Sequence, residues 1–321
     1  MNVKLLNFIC CPVCSNKLSL EKEKELDNGE IITGKLFCKC GKRYPIVHGV
    51  PIILTNLKKD MQKIKKTFSK EWKAHKYKET KTWRLKTSER KSFFCKQMGI
   101  KNPDILKNKT LLDAGCGNGE LTVLLSDYGF DNVIGIDISD SIFSAYMNNP
   151  KKDKVFFIQG DLMNPPFKKQ TFDYIYSDGV VHHTPDTRYT FSQIAKLTKT
   201  NGRFWAWIYL KREYTKYNKL YLFAVDNIGL VISKCPLFMQ DLIIYTVALP
   251  MATFLQWIGI IKTKDNWTEK EILIRDGFTH IYVNKHTPKE VDGWFKENGF
   301  EDIVLSDTRQ LAGFGMYGIK K

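Results

Sequence analysis

One ten-residue stretch constrains this chain more than any other: Leu111-Leu112-Asp113-Ala114-Gly115-Cys116-Gly117-Asn118-Gly119-Glu120. A short apolar strand ends on an acid, three alternating glycines turn the chain, and a helix follows. Glycine permits the tight turn and lets backbone amides approach a ligand with no side chain between. The first turn of the helix then offers unpaired N–H groups to an anion such as a carboxylate.

The texture around this stretch fits a parallel sheet covered by helices. Strands are expected at Thr110–Ala114, Asn132–Asp137, Val155–Ile158, Phe172–Ser177 and Gly202–Leu210, with a helix over Glu120–Tyr128 and another capped by Ser139 or Asp140. Such alternation implies crossover connections and helices on both faces. Thr287 caps a further helix, Pro288–Asn298, which Gly299 stops. Glu301–Asp307 and Gly313–Ile319 then supply an antiparallel edge. Residues 213–262 interrupt the pattern. The run Leu237–Ile261 approaches the length of a membrane span, yet Gln240, Asp241, Pro250, Gln256 and Gly259 punctuate it. It is read as a helical insertion buried in the domain, with no transmembrane span and with membrane-surface contact as the lesser alternative.

Two more acids close later strands. Asp137, in Gly135-Ile136-Asp137-Ile138-Ser139, can accept hydrogen bonds from both hydroxyls of a ribose, and Asp161, in Gln159-Gly160-Asp161-Leu162, can accept from an adenine amine. A nicotinamide-binding turn spaces its glycines Gly-x-Gly-x-x-Gly, and here the third comes one residue early. The pattern resembles that of class I S-adenosylmethionine-dependent methyltransferases over residues 109–210, and more loosely to the C-terminus. The resemblance implies a Rossmann-like α/β domain with a mostly parallel seven-stranded sheet. It implies that Gly115, Gly117 and Gly119 line the methionyl end, Asp113 sits near the amino group, Asp137 holds the ribose and Asp161 faces the adenine. Ile138, Leu162 and Ser177 complete the candidate cofactor-binding set.

After the fourth strand comes Tyr176-Ser177-Asp178-Gly179-Val180-Val181-His182-His183-Thr184-Pro185-Asp186. Ligands of open parallel sheets gather at the carboxyl ends of strands, so this loop faces the transferable methyl group. His182 or His183 can take a proton from an acceptor, or order the loop and orient the substrate instead. His286, ahead of the Thr287 cap, is a third candidate on the acceptor side. Catalysis need not demand a base, because aligning the nucleophile with the sulfonium methyl supplies much of the acceleration.

The eight cysteines do not form a secreted disulfide framework. No secretion signal opens the chain, so close pairs point to metal and the compartment read is cytoplasm. Cys11-Pro12-Val13-Cys14 and Cys38-Lys39-Cys40 bring four thiolates into two knuckles, which suits tetrahedral zinc. With the ending Tyr44–Pro51, residues 1–57 resemble the zinc-ribbon family of tRNA methyltransferase activators. The second pair is Cys-x-Cys where that family has Cys-x-x-Cys, and Cys10 offers a spare ligand. Residues 58–108 are read as a basic helical cap or linker carrying Phe68, Trp72, Tyr77 and Trp83. Residues 109–321 are read as the methyltransferase domain, with its apolar insertion at 213–285.

Charge divides the chain unevenly. Residues 1–110 hold 26 Lys+Arg against 10 Asp+Glu, and the remainder 24 against 24. Clustered lysines invite an RNA reading, which a zinc ribbon joined to a methyltransferase would suit. The neutral catalytic region favours a small metabolite, glycan precursor or natural-product intermediate instead.

Overall fold

Four short strands open the chain: β1 (Ser19–Glu25), β2 (Ile31–Phe37), β3 (Arg43–Val47) and β4 (Val50–Ile53). They pair antiparallel in that order. The computed structural model describes residues 1–75, 81, 85–211, 219–260, 262–307 and 313–321. Tyr77, Trp83, residues 213–218 and Ile261, all named above, lie outside them.

Two helices follow, α1 (Lys59–Ala74) and α2 (Thr87–Gln97). Then β5 (Thr110–Ala114), α3 (Glu120–Leu125), β6 (Asn132–Asp137), α4 (Ser141–Met147), β7 (Val155–Gly160), β8 (Phe172–Asp178), α5 (Thr187–Ala195) and β9 (Thr198–Tyr209) alternate. Strands β5, β6 and β7 are almost wholly buried, as befits strands covered on both faces, and their sequences are accordingly near-continuous apolar runs.

Strands β7, β6, β5, β8 and β9 pair parallel in that spatial order. Past four further helices, α6 (Lys219–Lys234), α7 (Leu237–Ile243), α8 (Leu249–Trp257) and α9 (Trp267–Phe278), come α10 (Pro288–Glu297), β10 (Phe300–Asp307) and β11 (Gly313–Lys320). Strand β11 inserts antiparallel between β9 and β10. Thr287 caps α10 as expected: its hydroxyl accepts from the Glu290 amide at 3.2 Å, and the Glu290 carboxylate accepts from the Thr287 amide at 2.7 Å.

The sheet has eleven strands rather than the expected seven. The reason is local. Ile52 and Ile53, which leave the Gly49-Val50-Pro51 turn, pair parallel with Gln159 and Gly160 of β7. The ribbon's last strand therefore covers the edge of the central sheet, an edge that would otherwise present unpaired backbone groups.

The apolar run also departs from expectation. Leu237–Trp257 is continuous helix, with a π turn at Ile244–Ala248 just ahead of Pro250, where proline withholds a backbone donor. It is not buried: only 17% of its most apolar window is covered, and among the described residues it is the one helix long and apolar enough to cross a membrane.

Candidate functional site

Most of the candidate cofactor residues gather where the sheet's strand order reverses, at the carboxyl ends of β5, β6, β7 and β8. Asp137 is buried and accepts from the Gly117 amide at 2.8 Å and from the amide and hydroxyl of Ser139 at 2.8 and 2.6 Å. Asp161 accepts from the Met163 amide at 2.9 Å. Burial raises both carboxyl pKa values above their ordinary range. Asp113 is pushed further, to about 7, by burial, although the Thr122 hydroxyl donates to it at 2.6 Å.

One cleft is lined by Gly115, Asp137, Ile138, Asp161, Leu162 and His183. A second, lined by Asp113 and Cys116, adjoins it through Trp72, Gly115 and Asp178, which line both. The three glycines have different surroundings. Gly115 faces Val180 across the cleft, so closely that a Cβ there would stand 2.3 Å from a valine methyl. Gly117 lies against Trp72. Gly119 opens α3 and abuts Ala145 and Phe157, away from the cleft. Ser177 ties β8 to β5 by donating to the Ala114 carbonyl at 3.0 Å and does not line the cleft.

The three histidines are also sorted by position. His183 lines the cleft and is 3% exposed. Its Nδ1 lies 2.9 Å from the Tyr282 carbonyl oxygen. A carbonyl only accepts, so Nδ1 carries the hydrogen and Nε2 keeps a lone pair. Nε2 has no hydrogen-bond partner among the described residues and stands 3.8 Å from Asp276. Burial, then the neighbouring His280, hold the His183 pKa down to about 4. His182 packs away from the cleft between Trp207 and Tyr209. His286 sits beside Trp294 and 3.7 Å from Glu290, also off the cleft.

Around His183 the fold assembles groups that spacing along the chain did not single out. Asp276 comes from α9, and Tyr209 donates to it at 2.8 Å. Glu71 comes from α1 and lies 2.9 Å from His280 Nε2. Burial raises the Glu71 pKa well above the usual carboxylate range and holds His280 down to about 4. Phe68 stacks on His280, and with Met61 and Ile64 it forms the cleft's apolar wall. The signal for Glu71 was legible: it falls on the apolar stripe of α1 set by Met61, Ile64 and Phe68. Asp276, His280 and Tyr209 carry no comparable signal.

Near the strand ends, Arg90 of α2 bridges Asp178 at 3.1 Å with both side chains nearly buried. One ligand atom each from Glu71, Asp276 and His280 lies within 4.8 Å of the others, a spacing compatible with a cation.

At the ribbon, Cys11, Cys14, Cys38 and Cys40 bring their sulfurs within 4.8 Å of one another. Cys11 and Cys40 are 3.7 Å apart, and Cys14 and Cys38 3.2 Å. Four thiolates about 2.3 Å from one zinc would stand roughly 3.8 Å apart. The Tyr44 hydroxyl lies 3.3 Å from Cys11 Sγ. Cys10 is outside the group and buried, its amide donating to the Pro166 carbonyl.

Comparison with known proteins agrees with both halves. Residues 112–206 match the family described as Methyltransferase domain, and residues 2–49 match Trm112p-like protein. A sterol 24-C-methyltransferase of Pneumocystis carinii is 33% identical over 114 residues, 34% of this chain and 30% of its own length. A demethylmenaquinone methyltransferase of Lactococcus lactis is 31% identical over 132 residues, 40% of this chain and 48% of its own. The chain thus spans less than half the length of these relatives. A magnesium protoporphyrin IX methyltransferase structure from Synechocystis aligns with 82% of this chain and 100% of its own, at 15% identity and a TM-score of 0.47.

Proposed function

We propose that this chain, which carries a methyltransferase domain over residues 112–206 and a Trm112p-like domain over residues 2–49, transfers a methyl group from S-adenosylmethionine to an oxygen or nitrogen of an apolar small molecule. The observation that carries the reading is the pairing, in one cleft, of the strand-end acids with an unprotonated His183 Nε2 and an apolar wall.

When bound, the cofactor would supply an electrophilic methyl group on a sulfonium. Asp137 and Asp161 would hold its ribose and adenine, and Asp113 and Gly115 its methionyl end. The acceptor would lie against Met61, Ile64 and Phe68, with its nucleophilic atom toward His183. A hydroxyl oxygen becomes strongly acidic as it takes the methyl group, so even a base held near pKa 4 can remove its proton, whereas an amine nitrogen would keep its proton as an ammonium. Nδ1–H stays on the Tyr282 carbonyl and fixes the ring. Asp276, steadied by Tyr209, stabilises the imidazolium that forms. The wall contributed by α1 excludes water from the reacting atoms.

Small-molecule acceptors of relatives with sterol and demethylmenaquinone substrates support the apolar acceptor. Three of the six lysines of α1 weigh against RNA, since Lys65 pairs with Asp140, Lys70 with Asp241, and Lys63 donates to the Cys235 carbonyl. The four-cysteine cluster is the proposed zinc site, with a structural role.

Incubation with tritiated-methyl S-adenosylmethionine and either a lipid extract, an aqueous metabolite extract or total RNA tests this function. Label is expected in the lipid extract. Label confined to RNA would replace the acceptor class.

A further inference from the structure

The helix Leu237–Trp257 is amphipathic the wrong way round for a protein in water. Of 22 exposed large apolar side chains among the described residues, 14 fall between Ile228 and Trp267. On the helix itself Phe238, Leu242, Phe254 and Trp257 are 70%, 60%, 55% and 81% exposed. Most of its polar groups turn inward instead. Asp241 binds Arg275 at 3.1 Å and also Lys70. Gln240 is buried, donating to the Ser233 and Cys235 carbonyls. Thr253 accepts from Lys270 at 3.1 Å, and the Tyr245 hydroxyl donates to Glu271 at 2.6 Å. In water the apolar stripe should face the core and the polar one the solvent. A contiguous outward apolar face marks contact with something apolar.

The flanking charge says what that is. Asp241 is the one charged residue from Leu237 to Ile261, and it points inward. Exposed lysines stand at both ends: Lys234 before the helix, Lys262 and Lys264 after it. Trp257 and Trp267 lie at the same end as the latter pair. Apolar body, terminal lysines and boundary tryptophans are the composition of a segment lying at a lipid surface. Pairing two copies of this face about a two-fold axis would bring like-charged lysine ends together, which a bilayer with phosphate headgroups would not.

The helix is also tied down along its length to α9, through Asp241–Arg275, Tyr245–Glu271 and Thr253–Lys270. Spanning a bilayer would drag Arg275 and Glu271 into hydrocarbon. We infer that this face rests in the plane of an anionic membrane surface, with Phe238, Leu242, Phe254 and Trp257 in the acyl boundary and Lys234, Lys262 and Lys264 on the phosphates. The same α9 carries Asp276 of the acceptor cleft, so membrane docking would set that cleft close to the lipid phase. This inference deepens the apolar-acceptor reading, but the surface can be tested without cofactor or acceptor.

The full chain should co-sediment with vesicles of phosphatidylcholine mixed with phosphatidylglycerol, and more weakly with phosphatidylcholine alone. Phe254→Ser with Trp257→Ser should cut vesicle affinity about tenfold or more through lost apolar burial. Lys234→Glu, Lys262→Glu and Lys264→Glu together should abolish the preference for anionic vesicles and its salt dependence. All of these side chains are exposed, so melting temperature and S-adenosylmethionine affinity should stay as in the parent. Vesicle binding unchanged in both variants, or no vesicle binding by the parent, would overturn the inference. So would an ultracentrifugally observed dimer that the Phe254/Trp257 variant dissociates, since the face would then belong to a second copy. Failure of S-adenosylmethionine binding alongside intact vesicle binding would instead remove only the methyl-transfer reading.

Discussion

The indole of Trp72 rests against Gly117: a Cβ added to that glycine would stand 2.3 Å from Trp72 Cζ2. Gly117 has φ +55° and donates its amide to Asp137, so one residue of the α1 cap touches the turn that positions Asp137. Gly117→Ala must therefore move the indole as well as strain the backbone. Its cost to S-adenosylmethionine affinity is expected to be severalfold or more, and to shrink in a Trp72→Ala background where the clash is gone. A double-mutant cycle by calorimetry checks this. Strictly additive costs would mean that the cap does not bear on the turn.

His183→Ala should lower kcat by about 10²- to 10⁴-fold, the range for a lost proton-transfer group, while leaving S-adenosylmethionine affinity unchanged. His182→Ala, whose ring lies off the cleft, should affect folding more than turnover. Equal losses in kcat for the two variants would deny His183 a special role.

The buried histidines make stability fall with acid. An unfolded histidine takes up a proton near pH 6.5, whereas His183 and His280 in the fold do so only near 4. Between those values these two rings bind more protons when unfolded, which lowers stability as pH falls, by on the order of 3 kcal/mol for each, while Asp113 and Glu71, whose pKa values burial raises, act in the opposite sense. Thermal melts of the parent and of His280→Phe from pH 7 to pH 4 isolate one ring's part. The variant should lose less stability on acidification than the parent. The same pH dependence in both proteins would place the His280 ring in contact with water.

About one zinc should copurify with each chain, and Cys14→Ser should lose it, because a knuckle short of one thiolate binds far more weakly. Since β4 of the ribbon pairs with β7 of the central sheet, the loss should also lower the melting temperature of the whole chain. Metal-free protein with the parent's stability would leave packing alone to hold the ribbon.

Much of this site could be read from residue order, because its acids end strands and its glycines make a local turn. Asp137, Asp161 and Gly115 share a cleft for that reason. Tertiary placement was less legible. Nothing in the spacing of Asp276, His280 and Tyr209 reveals that α9 and β9 converge on His183. His286 was a further candidate on the acceptor side in sequence, yet it sits beside Trp294 of α10, off the cleft. The two extensions that misled have one physical source, a surface whose partner is not local. Ile52 and Ile53 found theirs in β7, and the outer face of Leu237–Trp257 found none among the described residues.

Titration of the full chain with S-adenosylmethionine, alongside Asp137→Ala and Asp137→Asn, tests the cofactor site most directly. A single site is expected, with affinity about 10- to 100-fold weaker in Asp137→Ala, because a ribose diol loses its charged acceptor. Asp137→Asn, which keeps one oxygen for the Gly117 amide, should fall between. No heat of binding in the parent, or the same affinity in all three proteins, would contradict the assignment of this cleft to S-adenosylmethionine.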